Sequence, residues 1–167
     1  KLVGLTCHIG SQIMELNAFE EAASQALEIL IELEKLNINL DFIDMGGGLG
    51  VNYMNEETVQ PIELINCYEK IFSGRKERLI LEPGRSIAAN AGIMLTKVEY
   101  KKNDFLVADA AMNDLLRPAL YQAHHDVWPV KKNNGVMQST VSLVGPICET
   151  GDFLAKNIDS ESSEGDL

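Results

Sequence analysis

The sequence has 167 residues, with 14 Lys and Arg against 25 Asp and Glu and a formal net charge of −11. That length holds one domain or two small ones, and hydrophobic and charged shares of 46% and 23% exclude a disordered chain. The acidic balance argues against nucleic acid or anionic membrane as partners, no apolar run approaches the roughly 20 residues of a bilayer span, and the three scattered cysteines Cys7, Cys67 and Cys148 form no disulfide framework, which predicts a soluble, cytoplasmic protein.

Residues 3–8 (Val-Gly-Leu-Thr-Cys-His) predict a short buried strand, broken by Gly10-Ser11. Apolar residues at Ala22, Ala26, Leu27, Leu30, Ile31 and Leu36 predict an amphipathic helix over 18–36, with Asn17 as its N-cap. Residues 40–45 form a second apolar run that stops at Gly46-Gly47-Gly48-Leu49-Gly50. A second helix is expected over 58–72, with Pro61 tolerated in its first turn. Leu79-Ile80-Leu81 predicts a third strand, ended by Glu82-Pro83-Gly84-Arg85-Ser86. The strand centres lie about 37 residues apart with one helix in each gap, the spacing of β-α units in a parallel sheet. A (β/α)8 barrel and a doubly wound sheet share this local pattern.

Beyond Gly92 the texture changes. Residues 93–100 and 105–108 predict strands without a helix between them, and 136–144 predicts another, preceded by an Asn133-Asn134-Gly135 turn. This half is expected to be an antiparallel β region, with the boundary near Asn90. The tail from Asp159 to Asp166 is rich in Ser, Glu and Asp.

In a β-α architecture, sites form at the carboxyl ends of the strands. Three such ends occur here: His8-Ile9-Gly10-Ser11-Gln12, the glycine run 46–50, and Glu82-Pro83-Gly84-Arg85. If the strands are parallel, all three face one side. The glycine run can bring backbone N–H groups close to an anion, or can simply be a tight turn. It fits neither the dinucleotide fingerprint nor a P-loop. Arg85 can hold a phosphate or carboxylate through paired hydrogen bonds, or can form a local ion pair with Glu82. His8 fits a structural role as well as a chemical one. Cys148 and Glu149 sit in a turn between Gly145-Pro146 and Gly151-Asp152, where a thiol is reactive only if its pKa is lowered. The adjacent pair His124-His125 has poor spacing for metal ligands, and no metal site is expected.

In order, His8–Gln12, Asp44–Gly50, Glu82–Ser86, Asn113–Tyr121 and Gly145–Asp152 resemble the motifs of the fold-type III pyridoxal-phosphate decarboxylases. Within that family they are most similar to the branch acting on meso-2,6-diaminopimelate, and Arg117-Pro118-Ala119-Leu120-Tyr121 separates them from the ornithine-specific branch. The resemblance implies an α/β fold: residues 1–89 as the last three β-α units of the cofactor-binding (β/α)8 TIM-type barrel, and 90–167 as part of a C-terminal antiparallel β-domain. It implies pyridoxal 5′-phosphate as cofactor and release of CO2 to give L-lysine. His8 would stack on the cofactor ring. Ser11, Gly47, Gly48, Pro83, Gly84 and Arg85 would cradle its phosphate, and Glu82 would pair with the ring nitrogen. Arg117 and Tyr121, with Arg85, would grip the substrate's distal carboxylate. Cys148 would be the catalytic proton donor and Glu149 the partner of the distal ammonium, both reaching into the neighbouring subunit of a homodimer.

The chain lacks two of the family's segments: the early one carrying the lysine that joins the cofactor covalently, and a late tyrosine segment. It opens at Lys1 and stops at Leu167, so it is expected to be an internal piece of a longer enzyme and inactive alone. A carboxynorspermidine, ornithine or arginine decarboxylase and a non-catalytic cofactor-binding module are the alternatives.

Overall fold

The structure is a computed structural model and describes residues 1–131 and 139–167. The chain divides into two compact units, Lys1–Gly92 and Ile93–Leu167.

The first unit alternates strands and helices: β1 (Gly4–Thr6), α1 (Leu16–Lys35), β2 (Phe42–Asp44), α2 (Pro61–Ile71), β3 (Arg78–Ile80) and the short α3 (Arg85–Ala88). The strands form a parallel sheet in the order β1-β2-β3. Its core joins the apolar stripe of α1 (Phe19, Ala23, Ala26, Leu30) to Leu64, Tyr68 and Phe72 near or on α2 and to Ile43 and Met45 at the central strand. Burial pushes the Tyr68 phenol well above its ordinary pKa, helped by the neighbouring Cys7 and Cys67 thiols.

The first helix starts one residue before the expected cap. Glu15, not Asn17, is the N-cap; its backbone is extended and its side chain makes no capping bond. Leu16 packs against the core, so burial rather than capping fixes this start. In α2 Pro61 occupies the first turn, where its missing N–H costs nothing. The Glu63 carboxylate reaches back to accept the Gln60 N–H at 2.7 Å.

Arg75, just after α2, binds two acids at once. Its guanidinium donates to both Glu34 oxygens at 3.1 and 2.9 Å, and to both Glu77 oxygens at 3.0 and 2.7 Å. The link ties the end of α1 to the entrance of β3, and the Glu77 side chain is only 1% exposed.

The second unit is a four-stranded sheet, β4 (Val98–Lys102), β5 (Phe105–Ala108), β6 (Ser139–Val144) and β7 (Phe153–Ser160), in that order, with α4 (Arg117–Tyr121) between β5 and β6. One expectation is corrected here. The sheet is mixed, since β5 and β6 run parallel while the outer pairs are antiparallel. The cause is the long connection between β5 and β6, which can carry the chain back to start a strand in the same direction where a tight hairpin cannot. The Asn133-Asn134-Gly135 turn and residues 136–138 of the expected strand lie outside the described residues. β7 occupies part of the stretch read as polar tail; its alternation is interrupted at Asn157, whose φ is +52°.

Phe19→Ala is expected to cost about 3–5 kcal/mol in urea denaturation, because Phe19 is fully buried between helix and sheet. Exposed Ile29→Ala is expected to stay within about 0.5 kcal/mol of the parent. Burial opposes ionisation of Glu77, but the Arg75 hydrogen bonds and a backbone N–H outweigh it and hold its pKa below the ordinary carboxylate value. Its contribution is therefore complete above a pH of about 4.3 and fades as the pH falls through the lowered folded value. Denaturation between pH 6 and pH 3 is expected to show a shallower acid loss in Glu77→Gln than in the parent; equal slopes would refute the assignment.

Candidate active site

The parallel register puts the three strand ends level. Thr6 pairs with Asp44, and Asp44 with Ile80. Two residues beyond that line stand His8, Gly46 and Glu82. Backbone bonds carry the alignment past the strands: Cys7 N–H to Asp44 O (2.9 Å), Met45 N–H to Ile80 O (3.0 Å) and Glu82 N–H to Gly46 O (2.8 Å). His8, Ser11, Gly47, Gly48, Glu82, Pro83, Gly84 and Arg85 are thus brought to one edge of one sheet. His8, Ser11 and Glu82 are exposed there.

Much of the glycine run is explained by close packing of these ends. A side chain at Gly46, where φ is +65°, would lie 2.5 Å from Cys7 O. One at Gly47 would strike Glu82 O, and one at Gly48, with φ +102°, would strike Gly10 O. The turn is tight because three loops converge on it, and this closeness leaves the Gly47 N–H beside the His8 ring. Gly47 N–H donates to His8 Nδ1 at 3.3 Å. Gly84 differs: a Cβ there meets nothing within 4 Å.

Arg85 is held in place. Its Nη1 donates to Gln12 Oε1 and its Nη2 to Ser11 Oγ, each at 3.1 Å, and its guanidinium carbon lies 5.9 Å from the centre of the Tyr53 ring. Arg85 therefore contacts Ser11 and Gln12 here, and no ion pair joins it to Glu82. The donor set fits a phosphorylated pyridine. Arg85, Ser11 Oγ and the backbone around Gly84 can hold a phosphate. Glu82 offers a carboxylate to a ring N–H, and His8 a planar face to a ring. Burial, and then nearby acids, push the Cys7 and Cys67 thiols up, which leaves them protonated and poor nucleophiles.

In the second unit, the remaining sequence-predicted residues lie on two segments joined by a buried carboxylate. Asp152, 3% exposed, accepts Met112 N–H at 2.7 Å through Oδ1 and Ile147 N–H at 2.9 Å through Oδ2. Those bonds offset the cost of burying its charge. They fix the loop bearing Cys148 and Glu149 against the turn that leads into α4. Gly145 is needed at this junction, since a Cβ there would sit 2.6 Å from Ala111 Cα. Cys148 and Glu149 are exposed, as is Tyr121 on α4; Arg117 Nη1 lies 2.9 Å from His125 Nε2. The Arg117–Tyr121 stretch is helical. No cluster of three or more His, Cys, Asp or Glu is placed to hold a metal among the described residues.

Gln12, Tyr53 and Asp152 were not singled out by sequence reasoning. Gln12 and Asp152 did lie inside the quoted motifs. Their importance comes from bonds to backbone about 40 positions away, which no local pattern announces.

Residues 40–167 match the family model described as pyridoxal-dependent decarboxylase, C-terminal sheet domain. The chain is 47% identical to the diaminopimelate decarboxylase of Pseudomonas aeruginosa, over 100% of this chain and 41% of that one. It is 48% identical to the diaminopimelate decarboxylase of Vibrio cholerae, over 98% of this chain and 40% of that one. Its fold is similar to that of the diaminopimelate decarboxylase of Helicobacter pylori complexed with L-lysine, with a TM-score of 0.91 at 40% identity, covering 98% of this chain and 42% of that chain. The chain therefore spans about two fifths of the length of these relatives. With its motifs on the strand ends and most of its length matched, the chain belongs to the pyridoxal-dependent decarboxylase family.

Proposed function

We propose that the protein carrying this chain decarboxylates meso-2,6-diaminopimelate to L-lysine and CO2, with pyridoxal 5′-phosphate as cofactor. The observation that carries this reading is the level edge of His8, the glycine run and Glu82, with Arg85 fixed beside it by Ser11 and Gln12. The identity of 47–48% to proteins named for this reaction supports the choice of substrate.

The cofactor, when bound, supplies an electron sink for the pair left on the substrate carbon as CO2 departs. The chain's residues then divide the remaining work. Ser11, Arg85 and the backbone of Gly47, Gly48 and Gly84 hold the phosphate, with Pro83 setting the turn. Glu82 keeps a proton on the ring nitrogen, and His8 packs on the ring face. Arg117 and Tyr121, with Arg85, bind the distal carboxylate, for which a guanidinium fork is suited. Glu149 pairs with the distal ammonium. The Cys148 thiol gives its proton to the carbon that lost CO2, and the resulting thiolate is reprotonated from solvent.

The same reading places residues 1–89 in a (β/α)8 barrel as its last three β-α units and 90–167 in a C-terminal β-domain. It makes the protein a cytoplasmic homodimer in which Cys148 and Glu149 serve the neighbouring copy's site. Three free thiols agree with a reducing compartment, and no helix among the described residues is long and apolar enough to cross a membrane.

One observation favours a narrower role for these 167 residues taken alone. No lysine ends β1, β2 or β3. Lys35 bonds Glu32 on α1, Lys97 pairs with Glu99, and Lys101 Nζ donates to Ser162 O in the other unit. We infer that the isolated chain binds the cofactor without joining it covalently and does not turn over.

The natural protein that carries this sequence is expected to release equal amounts of CO2 and L-lysine from meso-diaminopimelate. Preference for ornithine, arginine or carboxynorspermidine would overturn the substrate assignment. The 167-residue chain incubated with pyridoxal 5′-phosphate and borohydride is expected to gain no stoichiometric cofactor mass. A single labelled lysine in the peptide map would show that the chain supplies its own attachment point.

A further inference from the structure

The Gln12 side chain links all three strand-end loops of the first unit. It follows β1, bonds Val51 in the loop after β2, and bonds Arg85 in the segment after β3. Its amide is pinned at both ends. Nε2 donates to Val51 O at 2.5 Å, and Oε1 accepts Val51 N–H at 3.2 Å and Arg85 Nη1 at 3.1 Å. Exchanging the amide oxygen and nitrogen would face donor to donor at two of these contacts, so the orientation is determined. The backbone at Gln12 is left-handed, with φ +60°, a conformation rare for a residue with a side chain. Its cost is accepted where it aims the amide at Val51 and Arg85.

Arg85 is a long, rotamer-rich side chain on a four-residue helix. Free in solvent it would lose much conformational freedom each time it gripped an anion. Ser11 restrains one of its nitrogens, but a hydroxyl rotates and can turn instead to the ligand. The Gln12 amide cannot rotate without breaking its two bonds to Val51.

We propose that Gln12 is a positioning residue that presets the Arg85 guanidinium for an anionic group, a phosphate or a carboxylate, without touching that group itself. The inference rests on the reading of Arg85 as an anion-binding residue. It assigns to Gln12 a part in affinity that the functional proposal does not contain. Gln12 places Arg85 relative to the glycine run, so an anion held by both meets a preformed geometry.

A double-mutant cycle on the natural protein tests this, using Gln12→Met, Arg85→Met and the double variant. Three quantities are read in each: the dissociation constant of pyridoxal 5′-phosphate by fluorescence titration, KM and kcat for meso-diaminopimelate, and the melting temperature. Arg85→Met is expected to weaken cofactor affinity if Arg85 holds the phosphate, or to raise KM if it holds the carboxylate. Gln12→Met is expected to weaken that same quantity about tenfold, with kcat changed less than about twofold, and to add nothing when Arg85 is already gone. Multiplying effects in the double variant would overturn the proposal, as would a lowered melting temperature with both affinities intact. If Arg85→Met alone leaves both affinities unchanged, the anion role of Arg85 fails, and the role of Gln12 fails with it. Should Gln12→Met not fold, Gln12→Glu keeps the shape and sets a carboxylate against Arg85. It is expected to weaken the anion similarly, and parental affinity in that variant would overturn the proposal.

Discussion

The alignment of three short parallel strands is the constraint on which the first unit depends. Each strand has only three residues in the sheet, yet Thr6, Asp44 and Ile80 stand opposite one another. Side chains alternate faces along a strand, so a slip of one residue would turn His8 or Glu82 to the other side. The register is held by burial of Ile43 and Met45 under two helices and by the backbone bonds that continue past the strand ends. It also brings Arg75 to Glu34 and Glu77, closing the opposite side of the same unit. The chemistry at the top edge is thus inherited from packing beneath it.

Much of this was legible in the sequence. Repeated apolar runs about 37 residues apart, each pair bridged by an amphipathic stretch, specify parallel β-α units because hardly any other arrangement buries both patterns. The motif residues fall at the strand ends because the glycine and proline that stop a strand also mark its edge. The second unit was less legible. Direction of pairing is not written into a strand, and the parallel β5–β6 contact depends on how the intervening chain travels. β7 is hard to read from the sequence because Lys156 and Asn157 interrupt its alternation. Asn17 looked like a cap by residue type, but the burial of Leu16 decided where the helix began.

Gln12 and Asp152 show a common device in two unrelated settings. Each uses a planar side chain with two polar atoms to bind a backbone N–H of a distant loop, and Asp152 also binds one of its own loop, much as a neighbouring strand would. An amide suffices at the sheet edge, where a backbone carbonyl must also be satisfied. A carboxylate serves at the Met112–Ile147 junction, where both targets are donors. Such bonds order irregular chain that has too little apolar surface to order itself, and residues assigned to chemistry stand beside both.

The glycines at the edge are unequal in one further respect. Gly46, Gly47 and Gly48 are closed in by backbone atoms of the adjoining loops, while Gly84 has open space where a side chain would begin. Any bulk added to the first three deforms the loops themselves; bulk added at Gly84 enters only the space outside them. The edge therefore has one wall of fixed shape and one that is adjustable. A lineage or an engineer altering the room available to a ligand has the β3 side to work with, and can do so without disturbing the strand alignment.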